Sequence, residues 1–175
     1  MIDIDKLDGT FAEAFAGNSP DGVHINLVVG RRGGPTAAAA AVTLTSPAPG
    51  HVPFLACLRL GTAVRPATIV TNKTTIEDDT LGRLTWGAAQ LGIAEAVLDS
   101  LAESVVDLSL VDNLVFLVAL WLDPAASDET AVRAAAHDAM HLAIARAVAL
   151  STGSDDIQAL IADRRNAGNG FYTGR

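Results

Sequence analysis

The chain has 175 residues, half of them hydrophobic and 18% charged, with a net charge of −8. This composition excludes intrinsic disorder, and the length suits a single domain, residues 1–175, with a sizeable core. The acidic residues are scattered, so the chain lacks the basic footprint expected of a partner for nucleic acid or an anionic membrane.

From the N-terminus, MIDIDKLDGT is acidic and lacks the character of a secretory leader. HINLVVG, within the stretch from Asp21 to Val42, alternates weakly and ends in a turn signal, which predicts a strand. GRRGGP forms the turn. Pro35 fits the first turn of a helix that continues through TAAAAAVTL. SPAPGHVP reads as a loop, FLACLRL as a second strand and ATIVTNKTTI as a third. Cys57, the single cysteine, excludes an intrachain disulfide and reads as a small buried thiol. DDTLGRLTWG begins a connection. In GAAQLGIAEAVLDSLAES the apolar residues Leu91, Ala94, Val97, Leu98 and Leu101 recur at helical spacing. DNLVFLVALWLD predicts a buried strand, and its apolar core, Leu114 to Leu122, is far short of the ~20 residues that span a bilayer. SDETAVRAAAHDAMHLAIARAVAL opens with a helix-start signal and predicts a long helix. GSDDIQALIADRR predicts a short terminal helix, and 166–175 a flexible tail.

The order is β-α-β-β-α-β-α. It predicts an α+β fold: a two-layer α/β sandwich in which long helices pack on one face of a mixed or antiparallel sheet. A cytoplasmic location is the default for such a chain.

Strand periodicity puts His24 and Asn26 on one face, with Ile25, Leu27 and Val29 facing the core. The same rule pairs Lys73 with Thr75. Such pairs suit an ordinary solvent face or a small polar site in which His24 titrates near neutrality. His137 and His141 lie four apart on the long helix and could supply half of a zinc site. No cysteine or carboxylate cluster completes it, so a solvated or interface face competes with a metal there. GRRGGP lies between strand and helix as phosphate loops do, but matches neither GxGxxG nor GxxxxGK[ST]. It suits a tight turn, or a place where Arg31 and Arg32 meet an anionic ligand. Cys57 has no placed base, and there is no nucleophile elbow.

Several stretches together resemble the formaldehyde-activating enzymes: VHINLVVGRRGGP, RPATIVTNKTTI, WGAAQLGIAEAVLDSLAE, DNLVFLVALWLDPAASD and the helix ending LAIARAV. The resemblance runs in order from about Val23 to Val148. It implies metal-independent condensation of formaldehyde with tetrahydromethanopterin, giving methylene-tetrahydromethanopterin and water, with no tightly bound cofactor. It also implies a homopentamer that binds the pterin between subunits. The family's general-acid histidine matches His24. Its other site positions fall on Asn26, Leu55, Lys73, Thr75 and Gln90 as substrate-binding residues.

Two departures stand out. Asn26 replaces an aspartate, which removes a charge that would favour the imidazolium. Leu91 replaces a histidine common in the family. They raise the alternatives of a pterin- or formaldehyde-adduct-binding protein without catalysis, or a paralogue using another one-carbon acceptor.

Overall fold

The structure, a computed structural model, describes residues 4–152 and 157–165. The tail expected at 166–175 lies outside the described residues.

A single helical turn, α1 (Ile4–Leu7), precedes strand β1 (Thr10–Ala16). β2 (Val23–Arg31) follows, then α2 (Pro35–Leu44) with Pro35 in its first turn. The chain continues through three short strands, β3 (Phe54–Leu55), β4 (Cys57–Arg59) and β5 (Thr62–Ala63), to β6 (Ala67–Asn72). α3 (Asp79–Arg83) leads through one π-helical stretch (Leu84–Ala89) into α4 (Gln90–Ala102). β7 (Leu114–Leu122), α5 (Glu129–Thr152) and α6 (Ile157–Asp163) complete the order.

The main sheet runs β1-β2-β7-β6-β3. All its pairs are antiparallel except β6 with β7, so the sheet is mixed as expected. The parallel pair is joined through α3 and α4, because parallel strands need a long crossover. Odd-numbered residues of β2, Val23, Ile25, Leu27 and Val29, are buried. Alternate residues of β7, Leu114, Phe116, Val118, Leu120 and Leu122, join them in the same core. α5 packs on β1 and β2 and against α4, forming the second layer. Small residues let these layers close up: a Cβ on Gly92 would stand 2.2 Å from the Arg133 carbonyl oxygen of α5. The shorter α2 starts over the opposite sheet face, where a Cβ on Gly30 would lie 3.0 Å from Thr36 Cβ.

Several local expectations need correction. β1 was not expected. Its large side chains, Phe11 and Phe15, point outward, while Ala12 and Ala14 are buried, so its pattern inverts the usual apolar-inward signal. FLACLRL is not one strand. It breaks at the buried Ala56: Phe54 and Leu55 pair with β6, and Cys57–Arg59 turns away to pair with β5. Cys57 is half-buried rather than buried. ATIVTNKTTI leaves the sheet after Asn72. Asn72, 3% exposed, donates to Gly50 O and Thr74 O, both at 2.6 Å, and accepts from Val52 N at 3.1 Å. Those bonds bend the chain into the next loop, as asparagine side chains do when they compete with a ladder. DDTLGRLTWG is helical, not a plain connection: Asp78 caps α3 by accepting from Leu81 N.

Candidate functional site

Cross-strand register builds the site from two rows on the sheet face opposite α5. One row reads Phe15, His24, Trp121 across β1, β2 and β7. The next reads Glu13, Asn26, Ala119, Thr71 across β1, β2, β7 and β6. Lys73 leaves β6 with its amide donating to Leu120 O at 2.7 Å, which keeps it beside β7 and level with the first row. Its side chain reaches across to β2.

Lys73 Nζ donates to Asn26 Oδ1 at 2.6 Å and stands 3.1 Å from His24 Nδ1. Asn26 Nδ2 donates to Glu13 Oε2 at 3.0 Å. The same carboxylate oxygen is 3.4 Å from His24 Nε2. An ammonium next to Nδ1 makes that nitrogen the acceptor, so the imidazole proton resides on Nε2, toward Glu13. Burial of the Lys73 ammonium pushes its pKa below the usual lysine value, and the Glu13 carboxylate opposes that shift in part. A cleft of about 720 Å³ opens over the cluster, walled by Phe15, Trp121 and Arg146. That size, with two aromatic walls and convergent polar groups, suits a small-molecule ligand.

The structure thus brings His24, Asn26 and Lys73 into direct contact. It does not bring the other three expected residues to them. Thr75 no longer shares a strand face with Lys73, and its hydroxyl lies 3.2 Å from His51 Nε2. Leu55 is part-exposed on β3 at the far edge of the sheet. Gln90 opens α4 and donates to Trp86 O at 2.5 Å. Trp86 lines a second cleft, of about 910 Å³, with Asp78, Asp79, Arg83 and Glu129. The two clefts share no lining residue.

Sequence reasoning missed Glu13, Phe15, Trp121 and Arg146. The signal for Glu13 was its place between Phe11 and Phe15 at strict strand spacing, in a segment whose inward side chains are alanines.

Other expected sites resolve differently. Arg31 pairs with Asp5 at 2.5 Å, and its amide donates to Asp8 at 2.9 Å, so GRRGGP is a tied-down turn. His137 contacts Asp99 at 3.0 Å and Asp138 at 2.9 Å. His141 contacts Glu103 at 3.0 Å and stacks on His137. With Arg133 on Glu95, these pairs form a ladder between α4 and α5. Among the described residues, no three His, Cys, Asp or Glu side chains cluster as a metal site, and no helix is long and apolar enough to cross a membrane.

A family model described as formaldehyde-activating enzyme matches residues 11–171. The chain is 34% identical over 165 residues to the 5,6,7,8-tetrahydromethanopterin hydro-lyase of Methanosarcina barkeri, covering 94% of this chain and 91% of that protein. It is 33% identical over 147 residues to a bifunctional enzyme Fae/Hps of Methanosphaera stadtmanae, covering 84% of this chain and 35% of that protein. A second Fae/Hps enzyme, from Methanothrix thermoacetophila, is 33% identical over 136 residues, covering 78% of this chain. The chain therefore spans about a third of the length of these bifunctional relatives.

Proposed function

The chain belongs to the formaldehyde-activating enzyme family, and from that premise we propose that it condenses formaldehyde with tetrahydromethanopterin, releasing water. It is a carbon–nitrogen bond-forming hydro-lyase. The observation that carries the reading is the contact of His24 with Lys73 and Asn26 at the floor of an aromatic-walled cleft.

In the chemistry this supports, a pterin nitrogen adds to formaldehyde and gives a carbinolamine. His24 is the general acid: its Nε2 proton passes to the carbinolamine hydroxyl while the Lys73 ammonium gives a proton to Nδ1, the carbon–oxygen bond breaks, and water leaves. The second pterin nitrogen then closes on the iminium carbon and returns its proton to the His24–Lys73 pair. Lys73, next to Nδ1, supplies positive charge and a proton path behind the imidazole. Proton transfer of this kind contributes typically ~10²–10⁴-fold, and holding both reactants in one cleft adds to it. Phe15 and Trp121 offer flat apolar surface to the pterin.

Asn26 belongs to the substrate-binding set. Leu55, Thr75 and Gln90 complete that set from a neighbouring copy of the chain, because within one chain they do not reach His24. A homopentamer with sites between subunits supplies such a neighbour, and light scattering tests it: a mass about five times that of the chain is expected, and a strict monomer sinks the shared site. The reaction is placed in the cytoplasm with no tightly bound cofactor, and residues 1–175 act as one domain.

The direct test follows absorbance during condensation of formaldehyde with tetrahydromethanopterin, with and without protein, beside a tetrahydrofolate control. Acceleration with tetrahydromethanopterin alone is expected. No acceleration by folded, oligomeric protein removes the proposal and leaves a binding role or another acceptor. His24→Ala lowers the accelerated rate by about 10²–10⁴ while pterin binding persists.

A further inference from the structure

We propose that Glu13 is a positioning residue for the His24–Lys73 pair, its carboxylate clamping His24 and Asn26 from the neighbouring strand and supplying the negative charge that position 26 lacks. The assignment rests on the function proposed above, since it concerns how that site is set.

Three observations carry it. Glu13 stands directly opposite Asn26 in the β1–β2 register and is diagonal to His24. One of its oxygens meets both groups, Asn26 Nδ2 at 3.0 Å and His24 Nε2 at 3.4 Å. The strand that bears it is itself fixed, because Arg146 of α5 donates through Nη1 to the Glu13 carbonyl oxygen. An unbroken polar line results: carboxylate, imidazole, ammonium, with Asn26 bridging its two ends.

This arrangement also explains why asparagine suits position 26. The side chain must accept from Lys73 and donate to Glu13 at the same time. An aspartate can accept but has no proton to donate, and it would set a second carboxylate against Glu13. Glu13 with Asn26 places one negative charge in the cluster. Moving the amide to β1 and the carboxylate to β2 would keep that count at one.

The positioning has two effects. The carboxylate beside Nε2 holds the imidazole in the Nε2–H form and in one orientation. It also lends Lys73 part of the field that keeps the amine charged, against the burial that favours the neutral form. The charged and titratable groups facing Lys73 are His24 of β2, Glu13 of β1 and, across the same cleft, Arg146 of α5.

The test uses Glu13→Gln, a near-isosteric change at an exposed site, and the double variant Glu13→Gln/Asn26→Asp. The chain has two lysines, Lys6 and Lys73, so ¹³C-labelled lysine gives a Lys73 side-chain signal that can be assigned by comparison with Lys73→Met. Glu13→Gln is expected to move the Lys73 titration to lower pH and to pull the alkaline limb of the kcat/KM profile the same way. It lowers activity at neutral pH by roughly tenfold or more, short of the loss caused by removing the acid itself. The double variant returns the titration and the alkaline limb toward those of the parent, which lost packing at Glu13 would not do. A Lys73 titration and a pH profile that coincide in the parent and in folded Glu13→Gln overturn the assignment. The titration needs no substrate. If it shifts as expected while the parent itself fails to accelerate condensation, Glu13 keeps its assigned place and the proposed function is what falls.

Discussion

Asn72 is buried, ends β6, and satisfies two carbonyls and one amide from two loops. Asn72→Ala takes the side-chain partner from Thr74 O and Val52 N, while Gly50 O keeps its bond from Ile76 N at 3.1 Å, and a buried group left unsatisfied costs about 1–3 kcal/mol. The expected outcome is a loss of at least that size in urea unfolding, accompanied by a fall in activity, because Lys73 follows directly and depends on that bend. Asn72→Asp keeps the acceptor for Val52 N and loses both donors, so it destabilises too. That His24 and Asn26 share a face was legible in the sequence from strand period alone, because residues two apart on a strand point the same way. The position of Thr75 was not. It depends on where β6 stops, and what stops it is a set of side-chain bonds to residues 50–52, some twenty positions away. Glu13 was hidden for another reason: β1 carries its phenylalanines outward, so the segment has no apolar face of ordinary kind.

Between elements, the contact of α4 with α5 sets the thickness of the helical layer. Gly92→Ala brings a methyl group within 2.2 Å of the Arg133 carbonyl oxygen and 2.9 Å of His137 N. Backbone cannot yield as a flexible side chain does, so the helices must part. Overpacking of this kind costs about 1–3 kcal/mol, read as a lower urea midpoint.

The ladder on the same pair of helices responds to pH. Partial burial of His137 disfavours its charged form, but Asp138 and Asp99 outweigh that and raise its pKa above the usual imidazole value. His141 and its partner Glu103 stand one turn further along, and Arg133 with Glu95 one turn back. The stabilisation from protonated His137 is therefore fully present below the ordinary histidine value. It disappears as pH rises through the raised folded value. Urea midpoints measured from mildly acidic to alkaline pH should fall across that window, and His137→Gln should flatten the fall. α4 was legible from apolar spacing and α5 from its helix-start signal. Their pairing through carboxylates and imidazoles was not, because a four-residue spacing on one helix says nothing about what stands opposite. The start of α5 is secured elsewhere: Asp21, ahead of β2, accepts from Ser127 N at 2.7 Å and Asp128 N at 3.0 Å, and those bonds hold its carboxyl below the usual aspartate range. That support is present above the ordinary aspartate value and is lost as pH falls through the lowered one. Strong acid therefore loosens the start of α5, whereas alkali removes the contribution of His137.

For the molecule as a whole, the α+β class and the long helices on one face were readable from element order, which left the sheet mixed or antiparallel. The strand order was not, because nothing local in LVFLVALWL says that it inserts between β2 and β6. That insertion has a consequence for synthesis. β7 is the last strand of the described residues, yet it is the central neighbour on which both others depend. Until residues 114–122 have left the ribosome, β2 and β6 each present an open edge, and the loop that carries Lys73 has no fixed bearing on His24. A growing chain can fold the β1–β2 hairpin early, with Glu13 and His24 already adjacent. It cannot bring Lys73 against His24 and Asn26 until β7 is made, so half-finished copies lack the polar cluster that floors the cleft.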